Sequence, residues 1–140
     1  LPKVFTYQKK DKLKSRKQMQ FLFSNGHAIT NFPVRLIYTV QAQSTSPEGI
    51  LNVGVGAPSR TFRKAVARNR VKRLLRESYR LEKPGFEKLI QIAHKQVAVF
   101  FLYTDANVLT QKEIQAKVQL LLAKLAVKIN ATNLSNEVAS

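Results

Sequence analysis

Apolar residues recur along the chain with two periods, and each period predicts elements. Met19, Leu22 and Phe23 fall at i, i+3 and i+4, one face of a helix, and are expected to face the core. Ser15 and Gln18 have the spacing of a capping box, and Asn25-Gly26 supplies a stop, so a first helix is predicted from Ser15. Phe21 falls off that apolar face and is expected to be partly exposed or to reach a neighbouring element. FPVRLIYTVQ, Phe32 to Gln41, is rich in β-branched and aromatic residues and predicts a strand. Ser44 to Gly49 reads as a turn, and ILNVGVG, Ile50 to Gly56, as the returning strand of a hairpin. Its two glycines suit a bulge or a closely approaching backbone.

Helical spacing returns at Ala65. Ala67, Val71, Leu74, Leu75 and Ser78 fall within an arc of roughly 100° at the helical step, the predicted buried side. This helix is predicted over Ala65 to Leu81 and closed by Pro84-Gly85, with Phe86 to His94 as a short helical connection. QVAVFFLY, Gln96 to Tyr103, is the most apolar strand and is expected to be central. Thr110 and Glu113 form a second capping box. Ile114, Val118, Leu121, Leu122, Leu125 and Ile129 then make the stripe of a core-packing helix. The polar stretch 130–140 is expected to fray, and residues 1–12 read as a basic arm. With no internal repeat, the chain reads as a single α+β domain over 1–140, its helices covering a small sheet.

Charge changes this picture. Lys and Arg number 24 against 8 Asp and Glu, a formal net charge of +16. Such an excess points to an anionic partner, nucleic acid first and an anionic membrane surface second. The surplus concentrates in AVARNRVKRLLRESYR, where Arg68, Asn69, Lys72, Arg73, Arg76 and Arg80 occupy the side of the helix away from the apolar arc, with Arg70 just outside. Glu77 is the single acid there and is spaced to pair with Arg73. Like charges at i and i+4 cost a helix about 0.2–0.5 kcal/mol per pair, which burial of the apolar stripe can offset. Guanidinium groups bind phosphate oxygens in pairs and stack on bases, so the Arg-rich face reads as a nucleic-acid-docking surface. Arg60, Arg63 and Lys64 precede it, beside the amides of the helix N-terminus.

The remaining chemistry is sparse. The eight acids form no metal-binding cluster, and His27 and His94 have no partner carboxylate in sequence. There is no phosphate-cradling G-x-x-x-x-G-K-[ST] loop. No cysteine is present, which suits a reducing cytoplasm. No apolar run has the length of a membrane span, and the basic N-terminus lacks a signal-peptide core. No catalytic residue and no metal ligand is therefore assigned to the polypeptide. RNA-binding protein of ribosomal or chaperone type and basic membrane-surface protein remain alternatives on charge alone.

The stretch Arg68-Asn69-Arg70-Val71-Lys72-Arg73-Leu74-Leu75-Arg76-Glu77 closely resembles the signature of the bacterial ribonuclease P protein component. LKSRKQMQFLFSNG is similar to that family's first helix and VGAPSRTFRKAVARNRVKRLLRESYRL to its strand-loop-helix core. QVAVFFLY and the final helix are similar to its last strand and helix, and the PSRTFRKAV form is Bacteroidetes-like. The resemblance extends from about residue 3 to residue 127. It implies a small, mostly antiparallel sheet in α-β-β-β-α-β-α order, with a left-handed β-α-β crossover. It also implies a role as protein subunit of an endoribonuclease whose catalytic RNA uses Mg²⁺, bound mainly by that RNA, to remove the 5′ leader of precursor tRNA. The implied partners are the catalytic RNA and precursor tRNA, in the cytoplasm, with no membrane and no obligate protein partner. RNA binding is implied for Arg60, Arg63, Lys64, Arg68, Asn69, Arg70, Lys72, Arg73 and Arg76. A leader-binding cleft is implied at Met19, Phe23 and Tyr38. Met19 stands where many members carry Phe, and Ser59 where Lys is usual. Alanine at Arg68 or Arg70 is expected to weaken RNA assembly more than folding.

Overall fold

The structure, a computed structural model, describes residues 16–41, 50–93 and 95–139; for 16–18, 41, 50, 93 and 130–139 it gives the course of the backbone. The predicted cap at Ser15, the arm 1–12, the turn at 44–49 and His94 lie outside the described residues. The elements are α1 (Arg16–Asn25), β1 (His27–Asn31), β2 (Val34–Gln41), β3 (Ile50–Gly56), α2 (Ala65–Ala93), β4 (Gln96–Tyr103) and α3 (Gln111–Ala139). This is the expected α+β order. The strands form one open sheet, β1-β2-β4-β3, antiparallel at β1–β2 and β2–β4 and parallel at β4–β3.

Two strand expectations are corrected. FPVRLIYTVQ is not one strand from Phe32: Phe32 and Pro33, joined by a cis peptide bond, form the turn between β1 and β2. β1 itself was not anticipated, because among HAITN only Ile29 is a buried hydrophobic. Nor do β2 and β3 form a hairpin, since β4 lies between them. The reason is burial. Val97, Val99, Phe101 and Tyr103 of β4 are sealed on one face and Phe100 on the other. A strand apolar on both sides takes an interior place, and α2 supplies the crossover that joins parallel neighbours.

The two long helices cover one face of that sheet. α2 does not stop before Pro84; it continues unbroken for 29 residues to Ala93, taking in the expected connection. Pro84 removes one backbone donor, yet Phe86 and Ile90 extend the buried stripe of Val71, Leu75 and Tyr79 beyond it. Packing thus overrides the local stop signal. α3 opens on the predicted capping box: the Glu113 amide donates to Thr110 Oγ1 at 3.2 Å, and the Thr110 hydroxyl donates to Glu113 Oε1 at 2.9 Å. Its backbone stays helical to Ala139, through the stretch expected to fray. Gln111 ties it to α2 by donating to Ser78 Oγ at 2.7 Å.

Candidate nucleic-acid interface

Among the described residues, the opposite face of the sheet is covered only in part, by α1. Alternation puts Arg35, Ile37 and Thr39 of β2, Ala98, Phe100 and Leu102 of β4, and Asn52, Gly54 and Gly56 of β3 on that side. The register aligns them in rungs: Arg35–Leu102–Gly56, Ile37–Phe100–Gly54 and Thr39–Ala98–Asn52. Leu22 is fully buried against Phe100 there, with Met19, Ile37, Ala98 and Leu102 packed around the pair. This small satellite core seats α1 over the β2–β4 seam and, among the described residues, leaves the β3 side as an open shelf floored by glycine and asparagine.

Phe23 marks the edge of that shelf. It is 51% exposed rather than core-facing, and its ring meets Phe100 edge-on, centroids 5.2 Å apart at 66°. Met19 is half-buried beside it. Tyr38 is not on this face. It is 8% exposed and belongs to the main core with Leu36 and Val99, where burial pushes its phenol pKa up. A one-residue shift along a strand exchanges faces, and the residue on the α1 side is Ile37. Phe100 is the aromatic that sequence reasoning missed; strict alternation through QVAVFFLY would have separated it from Phe101. Gly56 has a further role, because a Cβ there would lie 2.6 Å from Phe100 Cζ. A ring, not a backbone, accounts for this glycine. On α1's other flank, Phe21 is 49% exposed and shares a cavity of about 340 Å³ with Asn25, His27, Tyr38 and Lys128.

The basic segment starts where the shelf ends. Gly56 leads through residues 57–64 into α2, so Arg60, Arg63 and Lys64 follow the outermost rung, on which exposed Arg35 also sits. Arg35 was overlooked because a lone cation in an apolar strand gives no motif. The loop has a defined turn: the Thr61 and Phe62 amides both donate to Pro58 O, at 3.1 and 2.9 Å, and buried Phe62 packs on Tyr103 with centroids 5.9 Å apart.

The guanidinium face of α2 is not uniform. Asn69, Arg70, Arg73 and Arg76 are exposed, and Lys72 is half-buried. Arg68 turns back, its Nη1 donating to Phe62 O at 2.8 Å and Arg63 O at 3.0 Å. Glu77 pairs not with Arg73 but with Arg80, whose Nε donates to Glu77 Oε2 at 3.0 Å. That hydrogen bond holds the Glu77 carboxyl below its usual pKa. The i, i+3 partner wins because its fork can engage both carboxylate oxygens. Among the described residues no hydrogen bond or ion pair engages Arg70, Arg73 or Arg76.

Among the described residues no group of three or more His, Cys, Asp or Glu could hold a metal ion. Glu77, the acid nearest the cationic face, is already occupied by Arg80. These donors do not fit Mg²⁺, which needs clustered oxygen ligands. Among the described residues no helix is long and apolar enough to cross a membrane.

Comparison with known proteins agrees with this architecture. Residues 7–126 match the model of the Ribonuclease P family. The ribonuclease P protein components of two Porphyromonas gingivalis strains, ATCC 33277 and W83, are each 28% identical over 136 residues, spanning 97% of this chain and 98% of theirs. Among solved structures, a Staphylococcus aureus RNase P protein mutant with defective mRNA degradation activity aligns with a TM-score of 0.62 at 18% identity, over 82% of this chain and 87% of that one. The RNase P protein of Thermotoga maritima, in complex with 1-(4-fluorophenyl)-2-thiourea, aligns with a TM-score of 0.55 at 18% identity, over 79% and 96%. At such identities the structures speak for the fold, whereas the family match spans most of the sequence. The chain belongs to the ribonuclease P protein component family.

Proposed function

We propose that this chain is the protein subunit of a bacterial ribonuclease P and acts in the cytoplasm on tRNA 5′ maturation. Arg70, Arg73 and Arg76, with Asn69, Lys72 and the Arg60, Arg63 and Lys64 loop, dock on the catalytic RNA. The shelf beside α1 receives the single-stranded 5′ leader of precursor tRNA, a base stacking on exposed Phe23, whose ring is braced by buried Phe100, and its phosphates drawn by Arg35 and the loop. Mg²⁺, held by the RNA, supplies the hydrolytic chemistry. The residues of this chain bind and orient RNA, and none takes a catalytic role. The observation that carries this reading is the juxtaposition of an aromatic-edged, partly uncovered sheet face with a one-signed guanidinium helix, joined by one basic loop.

Cleavage of precursor tRNA by the cognate catalytic RNA at low Mg²⁺, with and without the protein, tests it. Stimulation is expected, and none would refute the assignment. Sequencing of co-purifying RNA separates this reading from a ribosomal one, which predicts ribosomal RNA as the dominant species. The membrane-surface reading has weaker support in the fold, because Val71 and Leu75 are fully buried and Leu74 half-buried, which leaves Val66 as the exposed large apolar side chain among these charges, too little for an insertion face.

A further inference from the structure

Arg68 opens the basic signature, yet its environment differs from that of its neighbours. Both N–H groups of its Nη1 are committed to consecutive backbone carbonyls, Phe62 O and Arg63 O. Its backbone amide donates to Lys64 O at 3.2 Å, so side chain and main chain together hold three consecutive residues, Phe62, Arg63 and Lys64. The residue is half-buried, whereas Arg70 and Arg73 are exposed. Upstream, that stretch is fixed by the two amides on Pro58 O and by the Phe62 ring in the core. Between these anchors the chain carries Arg60, Arg63 and Lys64, all exposed. A guanidinium released to reach a phosphate would leave two carbonyls without their charged donor, at the point where the loop enters the helix.

We propose that Arg68 is a positioning residue: it clamps the Phe62-Arg63 backbone so that Arg60, Arg63 and Lys64 are presented to RNA, and its contribution to RNA affinity passes through that loop. The proposal rests on the RNA-docking reading above, but its first test does not. In the free protein, Arg68→Ala is expected to accelerate hydrogen exchange at the Thr61 and Phe62 amides. Arg70→Ala is expected to leave them unchanged, and Arg68→Lys, which can still donate to both carbonyls, to restore much of the protection. Unchanged exchange at Thr61 and Phe62 in folded Arg68→Ala overturns the clamp.

The second test is a mutant cycle on binding to the catalytic RNA. Arg68→Ala is expected to weaken wild-type binding about tenfold, within the coupling seen for residues of one network. In a protein carrying Arg60→Ala, Arg63→Ala and Lys64→Ala together, the same substitution is expected to cost less than about twofold, since there is no loop charge left to position. An equal loss in both backgrounds would mean a direct contact and would overturn the proposal. Arg70→Ala serves as control and should cost the same in both. Wild-type protein that fails to bind the RNA would refute the function reading while the exchange result still decides the clamp.

Discussion

Gly56→Ala is the substitution that probes the aromatic wall of the shelf most directly. The new Cβ would stand 2.6 Å from Phe100 Cζ, 2.8 Å from Cε1 and 3.4 Å from Leu102 Cδ1. The ring must move, and it has little room, because Phe100 is 6% exposed beneath Leu22. Overpacking of this kind costs about 1–3 kcal/mol, a fall in Tm of roughly 3–10 °C for a domain of this size. Displacing the ring also breaks its edge contact with Phe23, so the aromatic wall of the shelf is lost. Under the proposed leader-binding role, stacking of one base is worth about 1–3 kcal/mol, so the preference of the assembled enzyme for precursor over mature tRNA should fall at least fivefold. Docking of the protein on the catalytic RNA should be unaffected. The causal step is checked in a Phe100→Leu background, where Cζ and Cε1 are absent: there Gly56→Ala should cost little further stability. A Gly56→Ala protein as stable as wild type would refute the reasoning, as would the same penalty with either residue at 100.

Three further outcomes are expected from the geometry of α2. Arg70→Ala, Arg73→Ala and Arg76→Ala should each reduce the slope of log K against log salt for RNA binding by about 0.7–0.9 and shift stability by no more than about 0.5 kcal/mol; a Tm loss matching the affinity loss would make them structural residues. Gly85→Ala should stabilise the protein by about 0.5–1 kcal/mol in denaturant titration, because a Cβ there meets nothing within 4 Å and alanine favours the helix; destabilisation would show that α2 needs glycine after Pro84. Glu77, its pKa lowered from 4.5 by the hydrogen bond from Arg80, contributes stability that is present above pH 4.5 and lost as pH falls through the lowered value. Glu77→Gln should therefore be less stable than wild type at neutral pH and equal to it in acid, and a gap that widens on acidification would reverse the assignment.

Where the sequence was legible, one physical signal dominated. The Thr110–Glu113 capping box and the α3 stripe through Ile129 stand where spacing placed them, because capping and periodic burial are local. The interior position of QVAVFFLY followed from its lack of a polar side. Where reading failed, a distant partner decided. β2 and β3 look like hairpin arms until β4, some forty residues on, is found between them. Tyr38 and Ile37 are both apolar, and their faces are settled only by the register of Tyr38 against Val99. Glycine at 56 could not be assigned a purpose before Phe100 was known to lie over it. The cationic residues of α2 and its leading loop were visible in sequence, though Arg35 was not; which of them are already engaged was legible for none.

That last distinction explains how α2 carries its surplus charge. The run Arg68, Lys72, Arg76, Arg80 places like charges at i, i+4 three times over, each worth about 0.2–0.5 kcal/mol against the helix, and Pro84 adds roughly 3 kcal/mol for an interior proline. Against these stand Val71, Leu75, Tyr79, Phe86 and Ile90, each nearly or fully buried, at about 1.5–3 kcal/mol for a large side chain. Three of the five lie at or beyond Tyr79, outside the most charged turns. The rod is therefore held partly by its far half while its near half stays exposed. The two ends of the run are quieted as well, Arg68 on the loop carbonyls and Arg80 on Glu77. Repulsion is relieved at the ends and left in the middle, so Arg70, Arg73 and Arg76 stay unengaged where an incoming phosphate can meet them. A helix neutralised along its length would be more stable alone and would have nothing left to offer RNA.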